Sequence, residues 1–227
     1  MPRTDLYRNV HMGQRARMFA LAADLGAADL DEPGALTAHA ERCLALTGEL
    51  RRHADHEDTF IHPLLRERAP AAADALDAEH VRLDAAFVAL DARARDLPAT
   101  PADGLPEARH ELYLALNEMV SAYLAHLHAE ETVAMPALWE HTTEDELEAV
   151  FAAFQASRTA DETLADLRAM LPALPPPTRT AIVRGAVGAT PGEEHRTLAA
   201  VTTTLTPDQR RHLYADLGLP ETWALHG

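Results

Sequence analysis

Apolar positions recur along this chain at spacings of three and four residues, the period of an amphipathic helix and not of a strand. Prolines and glycines punctuate the pattern. Asp31-Glu32-Pro33-Gly34 reads as a turn, Pro70 separates two helical stretches, and Leu97 to Pro106 reads as a loop. The spacing predicts four long helices, about 4 to 28, 35 to 68, 71 to 96 and 106 to 141. Shorter ones follow at about 144 to 171, 178 to 188, 192 to 205 and 207 to 217. Thr143 with Glu146 three positions on, and Thr206 before Pro207, read as helix starts. Four long helices with short connections predict an all-α fold, an up-down-up-down four-helix bundle over residues 1–143. Residues 144–227 are expected to form a helical C-terminal extension, with the stiff Pro175–Pro177 connector setting off a small subdomain.

Composition supports the helical reading. Hydrophobic residues make up 47% of the chain but aromatics only 5%, and isoleucine occurs only at Ile61 and Ile182. Strands draw on β-branched and aromatic residues, helices on Ala, Leu, Glu and Arg. The net charge of -16 repels phosphate backbones and anionic lipid, so neither nucleic acid nor a membrane surface is an expected partner. The single cysteine, Cys43, leaves no disulfide framework and fits a reducing compartment. There is no apolar run of about 20 residues and no apolar stretch of signal-peptide kind near Met1, so the expected location is the cytoplasm.

The chain holds 13 histidines, and most lie between His11 and His141. Their placement carries chemistry. His53-x-x-x-Glu57 on the second helix aligns with His126-x-x-x-Glu130 on the fourth at an offset of 73, and Pro63 then falls on Pro136. Residues i and i+4 share one helix face, so each pair presents an imidazole and a carboxylate to one point. At about 100° per residue, Leu46, Phe60 and Leu64 lie on the face of His53 and Glu57. Met119, Val133 and Ala137 lie on that of His126 and Glu130. Both pairs therefore sit in apolar stripes that face the interior. A carboxylate buried without a partner costs several kcal/mol, so two of them call for cations. His11 shares a face with Tyr7, Arg15 and Met18, and His80 with Leu76, Asp84 and Phe87. Each long helix thus offers one inward histidine and two add a glutamate. Mixed imidazole and carboxylate donors suit iron, with zinc and manganese as alternatives. By the same geometry His62, His128 and Glu131 point off the inward face, and Pro63 and Pro136 mark bends that end the ligand helices. Cys43 reads as a small core residue.

The order His, His-x-x-x-Glu, His, His-x-x-x-Glu over about residues 5 to 141 resembles the hemerythrin-like, or HHE cation-binding, family. That resemblance implies a four-helix bundle enclosing a carboxylate-bridged pair of iron ions, held by His11, His53, Glu57, His80, His126 and Glu130. It also implies a small exogenous ligand (oxygen, nitric oxide or peroxide) or a part in iron handling. The animal oxygen carriers of this family place two histidines four apart on the third helix. Here Asp84 stands four residues after His80 and Leu76 four before it. Either Asp84 supplies a ligand or one iron keeps an extra open position. His56, three residues from His53, is a further candidate. Ferritin-like oxidases use Glu-x-x-His and many carboxylates. This imidazole-rich set leaves less negative charge to support high-valent iron, which favours binding over oxidative catalysis. The alternatives are a di-iron oxidase and a zinc or structural site in an interaction module. The C-terminal helices, with Phe151, Phe154, Leu164, Leu167 and Leu171, are expected to pack on the bundle, on a protein partner or on a second copy.

Overall fold

The computed structural model describes residues 3–29 and 34–219, and among these the chain is helical with no strand. Asp31, Glu32 and Pro33 of the expected turn lie outside the described residues. Gly34, at φ 84°, takes the left-handed conformation that a residue without Cβ adopts freely, and α2 starts directly after it. Contacts divide the chain into two compact units. One comprises Met1–Arg8 and Arg15–Ala156, the other Asn9–Gln14 and Ser157–Gly227. No helix among the described residues is long and apolar enough to cross a membrane.

The first unit is built on α2 (Ala35–His56), α4 (Pro70–Asp96), α5 (Leu105–Ala129) and the greater part of α1 (Arg8–Gly26), whose residues 9–14 group with the second unit. Short helices α3 (His62–Arg68) and α6 (Met135–His141) continue α2 and α5, and α7 (Glu144–Ala156) follows. The cap expected at Thr143 forms, since the Thr143 N–H donates to the Glu146 carboxylate and the Glu146 N–H donates back to the Thr143 hydroxyl. Buried apolar residues repeat at helical spacing, as Leu83, Phe87 and Leu90 on α4 and Leu112, Leu116 and Met119 on α5. With Met18, Leu21 and Leu25 of α1 and Cys43, Leu46 and Leu50 of α2 they form one apolar cluster. A second cluster gathers Tyr7, Ile61, Leu65, Leu76, Ala134, Met135, Leu138 and Leu147. Along α2 and α5 the chain leaves the first cluster and enters the second, whereas along α4 it runs the other way.

Pro63 and Pro136 do not end their helices, against the expectation from sequence. A proline ring collides with the carbonyl four residues back and offers no N–H, so a regular α-turn cannot pass through it. The chain instead widens into one π-turn before each proline, Glu57–Ile61 and Glu130–Ala134, and stays helical. The His62 N–H donates to the Glu57 carbonyl and the Met135 N–H to the Glu130 carbonyl, the five-residue bond of a π-turn. One inserted residue rotates everything after it by about 100°. This overturns two expectations at once. His62 is fully buried instead of lying at the surface, and Val133 is 54% exposed while Ala134 takes the inward place.

The second unit contains α8 (Ala160–Met170), α9 (Pro176–Gly188), α10 (Glu194–Val201) and α11 (Pro207–Leu217). The single helix expected over 144 to 171 is broken at Ser157–Thr159, where Thr159 and Glu162 close a capping box and start α8. Thr206 and Gln209 do the same for α11, with Pro207 in its first turn. Leu171, Leu174, Val183, Leu198, Val201, Leu205 and Leu213 form its core, so the residues before the proline connector are packed in it. Arg179 is buried and donates to the carbonyls of Leu171 and Leu174. Within this unit, Gly13 lies against the end of α8, where a Cβ would sit 3.0 Å from Met170 Cα.

Candidate metal centre

The ligand candidates of the first unit lie at the junction of its two apolar clusters. Along α2 and its π-turn, Leu50 belongs to the first cluster and Ile61 to the second, with His53 and Glu57 between them. On α4, His80 lies between Leu76 and Leu83, and along α5 and its π-turn His126 and Glu130 lie between Tyr123 and Ala134. Each glutamate is the first residue of a π-turn, so the same local widening sets both carboxylates.

Glu57 is 1% exposed and Glu130 fully buried, as is His11, and His126 is 2% exposed. His53 Nε2 lies 2.8 Å from Glu57 Oε1, and His126 Nε2 lies 3.3 Å from Glu130 Oε1. The Nε2 atoms of His80 and His126 face one another at 3.0 Å, with Glu57 Oε2 3.9 Å from His80 Nε2. His11, His53, Glu57 and Glu130 form one group whose ligand atoms all lie within 4.8 Å of one another. Glu57, His80, His126 and Glu130 form a second such group. The two groups share both glutamates, and together they contain each of the six residues singled out by spacing.

The donor set fits metal cations on this geometry. Nitrogen or oxygen atoms about 2.1 Å from one six-coordinate ion stand about 3 Å apart when at right angles, which is the spacing found here. The charges fit as well. Without a cation, burial pushes the His126 imidazole down, but the carboxylates of Glu130, Glu57 and Glu79 outweigh burial and hold it at about 9. A proton then stands in for the missing positive charge. Burial and the neighbouring His126 lower the pKa of His80, which keeps a lone pair available for a metal. Burial, then Glu130 and Glu57, raise the Tyr7 phenol well above its usual range, so it stays protonated beside these carboxylates.

Sequence reasoning missed Glu79. Its Oε2 accepts from His126 Nδ1 at 2.9 Å, so that once the ring is neutral its proton stays on Nδ1 and the lone pair falls on Nε2, on the side of the cluster. No periodicity signals it, because the contact joins α4 to α5. Asp84 is exposed, lines a cavity of about 160 Å³ beside His80, and belongs to neither group. His56 also lies outside both groups, its ring edge-on to Phe154 of α7 at 5.2 Å between centroids. His128 is exposed, and Glu131 pairs with Arg15 at 2.6 Å.

A family model described as "Hemerythrin HHE cation binding domain" matches residues 3–138. No curated protein and no solved structure matches the chain.

Proposed function

We propose, from the premise that the chain belongs to the hemerythrin HHE cation-binding family, that it holds two iron ions and uses them to bind a small oxidant or to buffer iron. The observation that carries this reading is that Glu57 and Glu130 belong to both ligand groups. Two buried carboxylates common to two sets of donors are what a bridged ion pair needs. His11 and His53 complete one end, His80 and His126 the other. The bundle is proposed to run up-down-up-down, in keeping with the order in which α2, α4 and α5 meet the two apolar clusters.

An iron pair bound there supplies electrons and open coordination positions for oxygen, nitric oxide or peroxide. The protein groups do the rest. Glu79 holds His126 in one tautomer. The apolar clusters on either side exclude bulk water, which strengthens each charge interaction inside. Four imidazoles against two carboxylates give a donor set of low negative charge, which favours ligand binding over oxidative catalysis.

The test is metal content and absorption of protein reconstituted with ferrous iron and exposed to air. Two irons per chain are expected, with charge-transfer absorption in the near ultraviolet that a zinc-loaded sample lacks. One ion per chain at saturation, or an absorption identical to that of the zinc form, would overturn the reading.

A further inference from the structure

A third group of donors lies on the outer side of His80. Asp58, His62 and His80 offer ligand atoms within 4.8 Å of one another. Asp58 Oδ1 is 2.8 Å from His62 Nδ1 and 3.6 Å from His80 Nδ1. The His62 ring is fully buried and stacks on His80 with centroids 5.3 Å apart. Among the described residues its Nε2 has no hydrogen-bond partner. Its other nitrogen is the one that meets Asp58.

This group is more open to solvent than the inner ones. The Asp58 side chain is 48% exposed. The cavity of about 160 Å³ beside it is lined by Asp55, Asp58, Asp84 and His80, with Arg51 as the one cation among its lining residues. Arg66 lies 3.8 Å from Asp58 but pairs more closely with Asp77, at 2.8 Å, and Asp77 itself stands 3.9 Å from His62 Nδ1. The surroundings are therefore acidic and attract cations.

His80 belongs to both sides. Its Nε2 faces His126 and its Nδ1 faces Asp58. A neutral imidazole has one lone pair, so it serves one side at a time, and a change of tautomer moves it from the outer to the inner side. We infer that Asp58, His62 and His80 form an outer capture site for a divalent transition-metal ion, which His80 hands to the buried centre. Two imidazoles and one carboxylate select such an ion over calcium or magnesium, which prefer all-oxygen sites. The inference rests on the reading of the inner centre as a metal site.

The experiment separates the two. In metal-stripped full-length protein carrying Glu57→Gln and Glu130→Gln, zinc titration by calorimetry is expected to retain one weak site. Adding Asp58→Asn, a change at a half-exposed position that leaves the core intact, is expected to weaken that site about 100-fold. No effect of Asp58→Asn in that background, or no zinc bound at all, overturns the capture site. Should the double-Gln protein keep the metal content of the unaltered chain, the inner reading falls, and the effect of Asp58→Asn still decides on the outer one. In the otherwise unaltered chain, Asp58→Asn is expected to slow cobalt uptake about tenfold with the final content unchanged. Uptake at the original rate overturns the hand-over.

Discussion

Glu130→Gln separates what the buried centre does for function from what it does for stability. Glu130 is fully buried, lies 3.3 Å from His126 Nε2 and belongs to both inner ligand groups. The amide keeps the volume and removes the charge. At a metal concentration of about 1,000 times Kd, binding stabilises the fold by about 4 kcal/mol. For a chain of this size that is a rise in Tm of roughly 8–16 °C. The variant is expected to lose most of it, because Glu130 belongs to both inner ligand groups. In metal-stripped protein the order is expected to reverse. There the carboxylate has lost its cations, its desolvation costs several kcal/mol, and His126 offsets only part of that. The variant should then melt at or above the temperature of the unaltered protein. The assay is thermal melting by far-ultraviolet circular dichroism at neutral pH, with excess ferrous or zinc ion and with chelator. A chelator-insensitive Tm in the unaltered protein, or the same chelator shift in the variant, would refute the reasoning.

Further outcomes follow from the same geometry. Glu57→Ala and Glu130→Ala should lower metal content by mass spectrometry far more than His56→Ala or His128→Ala, since neither histidine belongs to an inner ligand group; equal losses would mean a different ligand set. Glu79→Gln should weaken metal affinity about 10- to 100-fold in competition with a chelator, because His126 loses the acceptor that holds its tautomer; unchanged affinity would leave Glu79 without a positioning role. In stripped protein His126 titrates upward, from 6.5 to about 9. A raised pKa stabilises fully below the unfolded value and loses that contribution as pH rises through the folded one. The Tm of stripped protein should therefore fall between pH 6.5 and about 9, and His126→Gln should flatten that slope; an equal slope in the variant would place the titration elsewhere. Loaded protein behaves in the opposite sense on the acid side. Towards about pH 5 the imidazoles protonate and metal content should drop steeply.

The all-helical character and most helix limits were legible in the sequence. Alanine and leucine at three- and four-residue spacing leave little else to form, and capping residues such as Thr143 and Thr206 act within one turn of themselves. The two His-x-x-x-Glu pairs were legible for the same reason, since i and i+4 share a face in any α-helix. Tertiary structure decided what depends on a change of register or on another helix. The π-turns before Pro63 and Pro136 bury His62 and expose Val133, and an ideal period of 3.6 residues carries no trace of an inserted one. Glu79 meets His126 only because α4 packs on α5, and Asp58 meets His80 only because α4 also packs on α2, which leads into the turn that carries Asp58. Spacing along one helix names the residues that share a face. Which groups meet across helices is fixed by packing, which no single helix encodes.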